Sequence, residues 1–174
     1  NTPENFGVTL DASNIEACLA AWREERDSWI ARHPDSVQRM RERVTEHIPA
    51  GEVAYQIKLG PGGIRDIEFT VQLLQLVHGL SDENIRQRGT LEALDALVAE
   101  GYIGRADAAA FSVDYRLLRL LEHRVQLRHL SRTHLMPSRP EELRVLARAT
   151  GLADSAEGIW QRWEAIKREV RDIH

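Results

Sequence analysis

Apolar residues recur along the chain at spacings of three and four, the pattern of amphipathic helices. Ser13-Asn14-Ile15-Glu16 has the form of a capping box, and Ile15, Cys18, Leu19, Trp22, Trp29 and Ile30 follow it at helical spacing until Pro34. A second helix is expected from near Asp35, with Val37, Met40, Val44 and Ile48 on one face and Pro49-Ala50-Gly51 as its break. The period then changes to two. Val53, Tyr55 and Ile57 alternate with Ala54, Gln56 and Lys58, which predicts a short strand. A lone strand leaves its backbone donors and acceptors without partners, so this segment either pairs with something outside the chain, the favoured reading, or is merely extended. Gly60-Pro61-Gly62-Gly63 reads as a tight loop feeding a strongly apolar helix from Ile64 to about Leu80. Further helices are expected from Thr90 to Glu100 with Gly101 as cap, from Asp107 to about Leu130, from Ser138 (with Pro140 and Glu141) to a stop at Gly151, and from about Ser155 onward. In the last of these Ile159, Trp163, Ile166, Val170 and Ile173 form a seam of alternating fours and threes. The pattern predicts an all-α fold: a helical bundle of about seven helices with at most one short strand, and the Asp107 helix as its spine. Residues 1–52 are expected to lead in as a helical segment and residues 53–174 to form the bundle. Its core should include Trp22, Ile64, Ile67, Val71, Leu74, Leu118, Leu121, Val125 and Trp163.

Composition narrows the class. The 174 residues fit one domain, and 43% hydrophobic residues are enough for a packed core. A formal net charge of -4 lacks the basic excess of a nucleic-acid binder. The single cysteine, Cys18, cannot close an intramolecular disulfide, in keeping with a reducing, cytoplasmic setting. No stretch has the length and apolarity of a membrane span. The first residue is Asn and the last ones still read as helix, so the chain is expected to be a piece of a longer protein.

The segment from Lys58 to Phe69 (KLGPGGIRDIEF) is the main candidate for chemistry. A glycine loop before a helix N-terminus can present backbone N–H groups, and the positive end of the helix dipole, to a phosphate. Gly62 and Gly63 would supply the cradle, Lys58 and Arg65 would add charge, and Glu68, one turn on, could orient Arg65. The other reading is a plain strand-to-helix turn that needs Gly for positive φ. No Gly-Lys-Ser/Thr follows, so the loop is not a Walker A motif. Arg65, Glu68, Gln72 and Gln75 share a narrow stripe of their helix, either the solvent strip or one wall of a site. Tyr115, Leu118, Arg119, Glu122 and Gln126 share a face of the long helix, where Arg119 and Glu122 are spaced for an ion pair. Asp66 lies off the first stripe, where it favours the helix dipole. No metal site is expected: Asp66 and Glu68 point to different faces, and His129 and His134 lack the spacing of a helical ligand pair.

These segments, taken together, resemble the glutamine synthetase adenylyltransferase family. The similarity runs from about Val37 to the end. It rests on Lys58–Phe69 with Val71–Gly79, then Arg88–Leu94, Tyr115–Leu127, Arg132–Pro137 and Arg168–His174 in order. The resemblance implies two nucleotidyltransferase halves, each followed by helices, one attaching AMP to a glutamine synthetase tyrosine with ATP and Mg²⁺. The other half removes the AMP by phosphorolysis, under control of PII proteins and glutamine. Leu121–Arg124 and Thr133–Pro137 are more similar to the first, deadenylylating half. The family's catalytic Gly-Ser and Asp-x-Asp motif does not occur in this sequence. The resemblance therefore implies a helical accessory domain with no catalytic residues of its own, following a nucleotidyltransferase domain. Its partners would be that domain, glutamine synthetase and PII. At most, Lys58, Gly62, Gly63, Arg65 and Glu68 would form one wall of a nucleotide site. The competing reading is a helical interaction module that docks PII or glutamine synthetase.

Overall fold

The computed structural model describes residues 48–130 and 133–174, with Ala21 alone before them. The chain divides into two compact units, Asn1–Met40 and Arg41–His174. The two helices expected before Pro49, and Trp22 with them, lie outside the described residues.

Five α-helices are described, all in the second unit: α1 (Ile64–His78), α2 (Thr90–Ala99), α3 (Arg105–His129), α4 (Pro140–Thr150) and α5 (Ala156–Ile173). The all-α class expected from periodicity is present. Each boundary has a local cause. Pro140 opens α4 at a position where its missing N–H costs nothing, and Gly151 closes it in the left-handed region at φ 66°. Ser155 caps α5, its Oγ accepting from Gly158 N at 2.9 Å. Gly89 and Gly104 precede α2 and α3 with extended backbone.

α3 is the spine, because it packs against each of the other four helices. At ~1.5 Å per residue its length is roughly 38 Å. Phe111, Leu118, Leu121 and Val125 line its buried side. Ile64, Ile67 and Val71 of α1, Leu94 and Leu97 of α2, and Leu143 and Leu146 of α4 close on it, together with Ile159, Trp163, Ile166 and Val170 of α5. Leu74, expected in the core, is only partly buried against it. α1 buries one face and leaves Leu76 exposed, so the centre of the bundle is α3 and not the more apolar α1.

The expected strand is absent. Val53–Tyr55 forms a short 3-10 turn, closed by Tyr55 N to Glu52 O at 2.9 Å and Gln56 N to Val53 O at 3.3 Å. Gln56 after it is extended, at φ -71° and ψ 116°, and the segment finds a partner inside the chain. Gln56 makes an isolated antiparallel bridge with Leu135. Ile57 N donates to His134 O at 2.8 Å and Met136 N to Tyr55 O at 2.7 Å. The backbone requirement that suggested an outside partner is met by the segment after α3, which has no alternating pattern of its own.

Candidate functional site

The loop before α1 is built inward. Gly62 sits at φ +75°, and a Cβ there would lie 2.1 Å from the Lys167 carbonyl oxygen of α5. A Cβ on Gly63 would lie 2.6 Å from Ile57 O. Only glycine fits either place. The N–H groups at the start of α1 are occupied as well. Gly62 N donates to the Asp66 carboxylate at 2.7 Å, and Gly63 N to Gly60 O at 2.9 Å. Ile64 N donates to Ile57 O at 3.1 Å and Arg65 N to Lys58 O at 2.9 Å. The expectation of outward-facing donors at Gly62 and Gly63 is therefore not met in this structure. The buried Asp66 side chain folds back on the loop and takes the donor a phosphate would have used.

The charged side chains remain. Lys58 and Arg65 are partly exposed, and their segments are tied together by the Lys58–Arg65 backbone bond. The Arg65 Nε is buried without a hydrogen-bond partner. No ion pair joins Arg65 to Glu68. Glu68 Oε1 instead accepts from Tyr115 Oη on α3 at 3.4 Å, and Thr90 Oγ1 lies 3.4 Å from the same phenol. Farther along the stripe, Gln75 donates to Ile85 O and Gln87 O, each at 2.8 Å, and so pins the connection to α2. The α1 stripe thus joins α1 to α3 through Glu68 and to the following loop through Gln75.

The strongest polar cluster lies one step further on, along the same face of α3. Glu122 is 1% exposed, and both its oxygens are engaged. Arg119 pairs with Oε2, and His134 Nδ1 lies 2.8 Å from Oε1. The Gln126 amide nitrogen is 3.3 Å from the same Nδ1. A buried carboxylate is tolerable only when paired and hydrogen-bonded, and here an arginine and an imidazole supply both. The Arg119–Glu122 pair is legible from spacing. His134 is not, because it reaches Glu122 only after the chain has left α3 and turned back against Gln56. Among the described residues no three metal-ligating side chains gather into one site.

Lys167 is a further cation that sequence reasoning missed. It is 5% exposed, donates to Ala54 O at 3.1 Å and to Glu164 at 3.2 Å, and rests 4.3 Å above the Trp163 ring. With its carbonyl oxygen against Gly62, this residue joins α5 to both the 3-10 turn and the glycine loop.

Fold and site together define an all-α domain whose glycine-loop helix is locked to its neighbours beside a buried ionic cluster. The chain belongs to the family described as GlnD PII-uridylyltransferase, whose model matches residues 35–174. It is 66% identical over 140 residues to the bifunctional glutamine synthetase adenylyltransferase/adenylyl-removing enzyme of Leifsonia xyli, covering 80% of this chain and 14% of that protein. The protein of the same name from Streptomyces coelicolor is 53% identical over 151 residues, covering 86% of this chain and 15% of the relative. That from Mycobacterium tuberculosis is 48% identical over 176 residues, covering 94% and 17%. The chain thus spans about one-seventh of the length of these relatives.

Proposed function

We propose that this chain is the helical accessory domain of a bifunctional glutamine synthetase adenylyltransferase/adenylyl-removing enzyme. The observation that carries the reading is its 66% identity, over 80% of its length, to a protein of that name. In this reading the catalytic carboxylates, with Mg²⁺ and ATP, belong to a neighbouring nucleotidyltransferase domain of the same protein. The domain lies after the first, adenylyl-removing half, where inorganic phosphate displaces AMP from the modified tyrosine. Glutamine synthetase is the substrate, PII proteins set the balance between the activities, and the setting is cytoplasmic. The locked glycine loop serves as a rigid base, with Gly62 and Gly63 allowing close packing on α5 and on Ile57. From that base Lys58 and Arg65 extend positive charge toward a phosphoryl group on the catalytic domain, and Glu68 fixes the base to α3.

The test is Arg65→Ala in the intact enzyme, with turnover and melting temperature measured on the same preparation. An electrostatic contact to a transferring phosphoryl group is worth on the order of 3 kcal/mol, so kcat/KM for adenylyl removal is expected to fall about 100-fold with the melting transition unmoved. A lowered melting temperature with unchanged turnover per folded molecule would leave Arg65 a packing residue.

A further inference from the structure

We infer that His134 is a phosphoryl-contacting residue, its Nε2 presented by the buried Glu122 carboxylate. Four observations lead there. First, the imidazole is oriented: Nδ1 lies nearer the Glu122 carboxylate, at 2.8 Å, than the Gln126 amide nitrogen, at 3.3 Å, so the shorter contact assigns the Nδ1 proton to Glu122 and leaves Nε2 clear of both. Among the described residues nothing bonds to Nε2, and the His134 side chain is 30% exposed while the Glu122 side chain is 2% exposed. Second, the residue is held from both its backbone and its ring. The segment carrying His134 is already held by two backbone bonds, Ile57 N to His134 O and Met136 N to Tyr55 O. Glu122 already has Arg119 as its counter-ion. Glu122, itself held by Arg119, thereby satisfies its second oxygen and fixes the imidazole in one orientation, as a carboxylate behind a histidine does.

Third, the neighbourhood is cationic. The bridge sets His134 against Ile57, the residue before Lys58, and Lys58 O in turn receives Arg65 N. Arg119, which shares Glu122 with His134, is itself 35% exposed. The backbone therefore sets Lys58 and Arg65 next to the segment that carries the oriented imidazole. Fourth, Arg119 is paired with Glu122, so Lys58 and Arg65 are the cations left beside the imidazole to meet an anion. In its doubly protonated form the ring keeps Nδ1–H on Glu122 and donates Nε2–H to a non-bridging phosphate oxygen. The substrate class rests on the proposed function. The orientation of His134 by Glu122 does not.

Two substitutions in the intact enzyme separate the two nitrogens of the ring. His134→Asn carries an amide N–H near the place of Nδ1, keeps a donor for Glu122 and ends short of Nε2. His134→Gln reaches the place of Nε2 and gives up the Glu122 bond. The measurements are kcat and KM for inorganic phosphate in adenylyl removal, and the melting temperature of each variant. The expected result is that His134→Asn melts with the wild type but loses about 100-fold in kcat/KM, the loss typical of a missing donor to a phosphoryl group. His134→Gln should melt lower and yet retain more kcat/KM per folded molecule. Wild-type kinetics in His134→Asn, or a larger kinetic loss in His134→Gln than in His134→Asn, would overturn the inference. A wild-type enzyme that fails to release the adenylyl group would instead sink the functional reading itself, so the two failures are distinguishable.

Discussion

At the scale of single residues, Gly62 shows how one position can be dictated by its surroundings. Its φ of +75° lies in the left-handed region, and the Lys167 carbonyl oxygen fills the space a Cβ would occupy. Gly101 has nearly the same φ, +79°, but nothing lies within 4 Å of its missing Cβ. The pair separates conformation from packing. Gly101→Ala should cost only the left-handed penalty of about 1–2 kcal/mol. Gly62→Ala adds a backbone clash that cannot relax by a rotamer change and should cost about 2–5 kcal/mol in all. Chemical denaturation of both variants checks the difference, and equal costs would mean that α5 does not press on the loop. Asp66 belongs to the same scale. A first-turn aspartate reads from sequence as a dipole residue, yet its carboxylate is the acceptor that closes the loop through Gly62 N.

At the scale of elements, α5 has the clearest mapping from pattern to packing. The seam read from its fours and threes is the buried seam for Ile159, Trp163, Ile166 and Val170, all within the core, while Ile173 at its end is only partly buried. Among the described residues Trp163 is the largest fully buried side chain. It meets Trp160 edge-to-face at 5.0 Å between centroids and lies under the Lys167 ammonium at 4.3 Å. Trp163→Ala removes the ring from the core and takes the cation–π contact with it, so it should destabilise by about 3–5 kcal/mol. A melting transition unchanged by this substitution would show that α5 is not seated on α3. The segment Val53–Lys58 is the opposite case. Its alternation is real, but two linked residues satisfy the backbone, and the residues before them close into a 3-10 turn.

At the scale of the whole molecule, the bundle holds one charge at a loss. Asp114 of α3 is 3% exposed, and its Oδ2 has no hydrogen-bond partner. Burial, and then the nearby Glu169, push its carboxyl up to about 6, against the opposing pull of Arg162. The folded value lies above the unfolded one, so between about pH 4 and pH 6 the native state binds more protons than the unfolded chain. Stability from this group therefore falls as pH rises through that window and stays lower at neutral pH. Roughly two pKa units correspond to at most about 3 kcal/mol. Asp114→Asn should raise the melting temperature at pH 7.5 and flatten its dependence between pH 4 and 6. A variant less stable than the wild type at pH 7.5 would show that the ionised carboxylate has a stabilising partner.

The sequence by itself determined the all-α class and the places of α1 to α5, because helices form from contacts three and four residues apart and their caps are local. It also carried the family, through motifs long enough to be specific. Even the Arg119–Glu122 pair was legible, since both residues lie on one helix. What only the tertiary structure decided are the contacts between segments far apart in the chain. These are Gln56 against Leu135, Lys167 against Gly62 and Ala54, and His134 against Glu122. No periodicity encodes them, because each depends on where packing of the core against α3 brings the ends of separate elements. For the same reason the loop's backbone donors, which the sequence left open to a phosphate, turn inward: the chain supplies nearer acceptors in Asp66, Ile57 and Lys58 once α1 has docked.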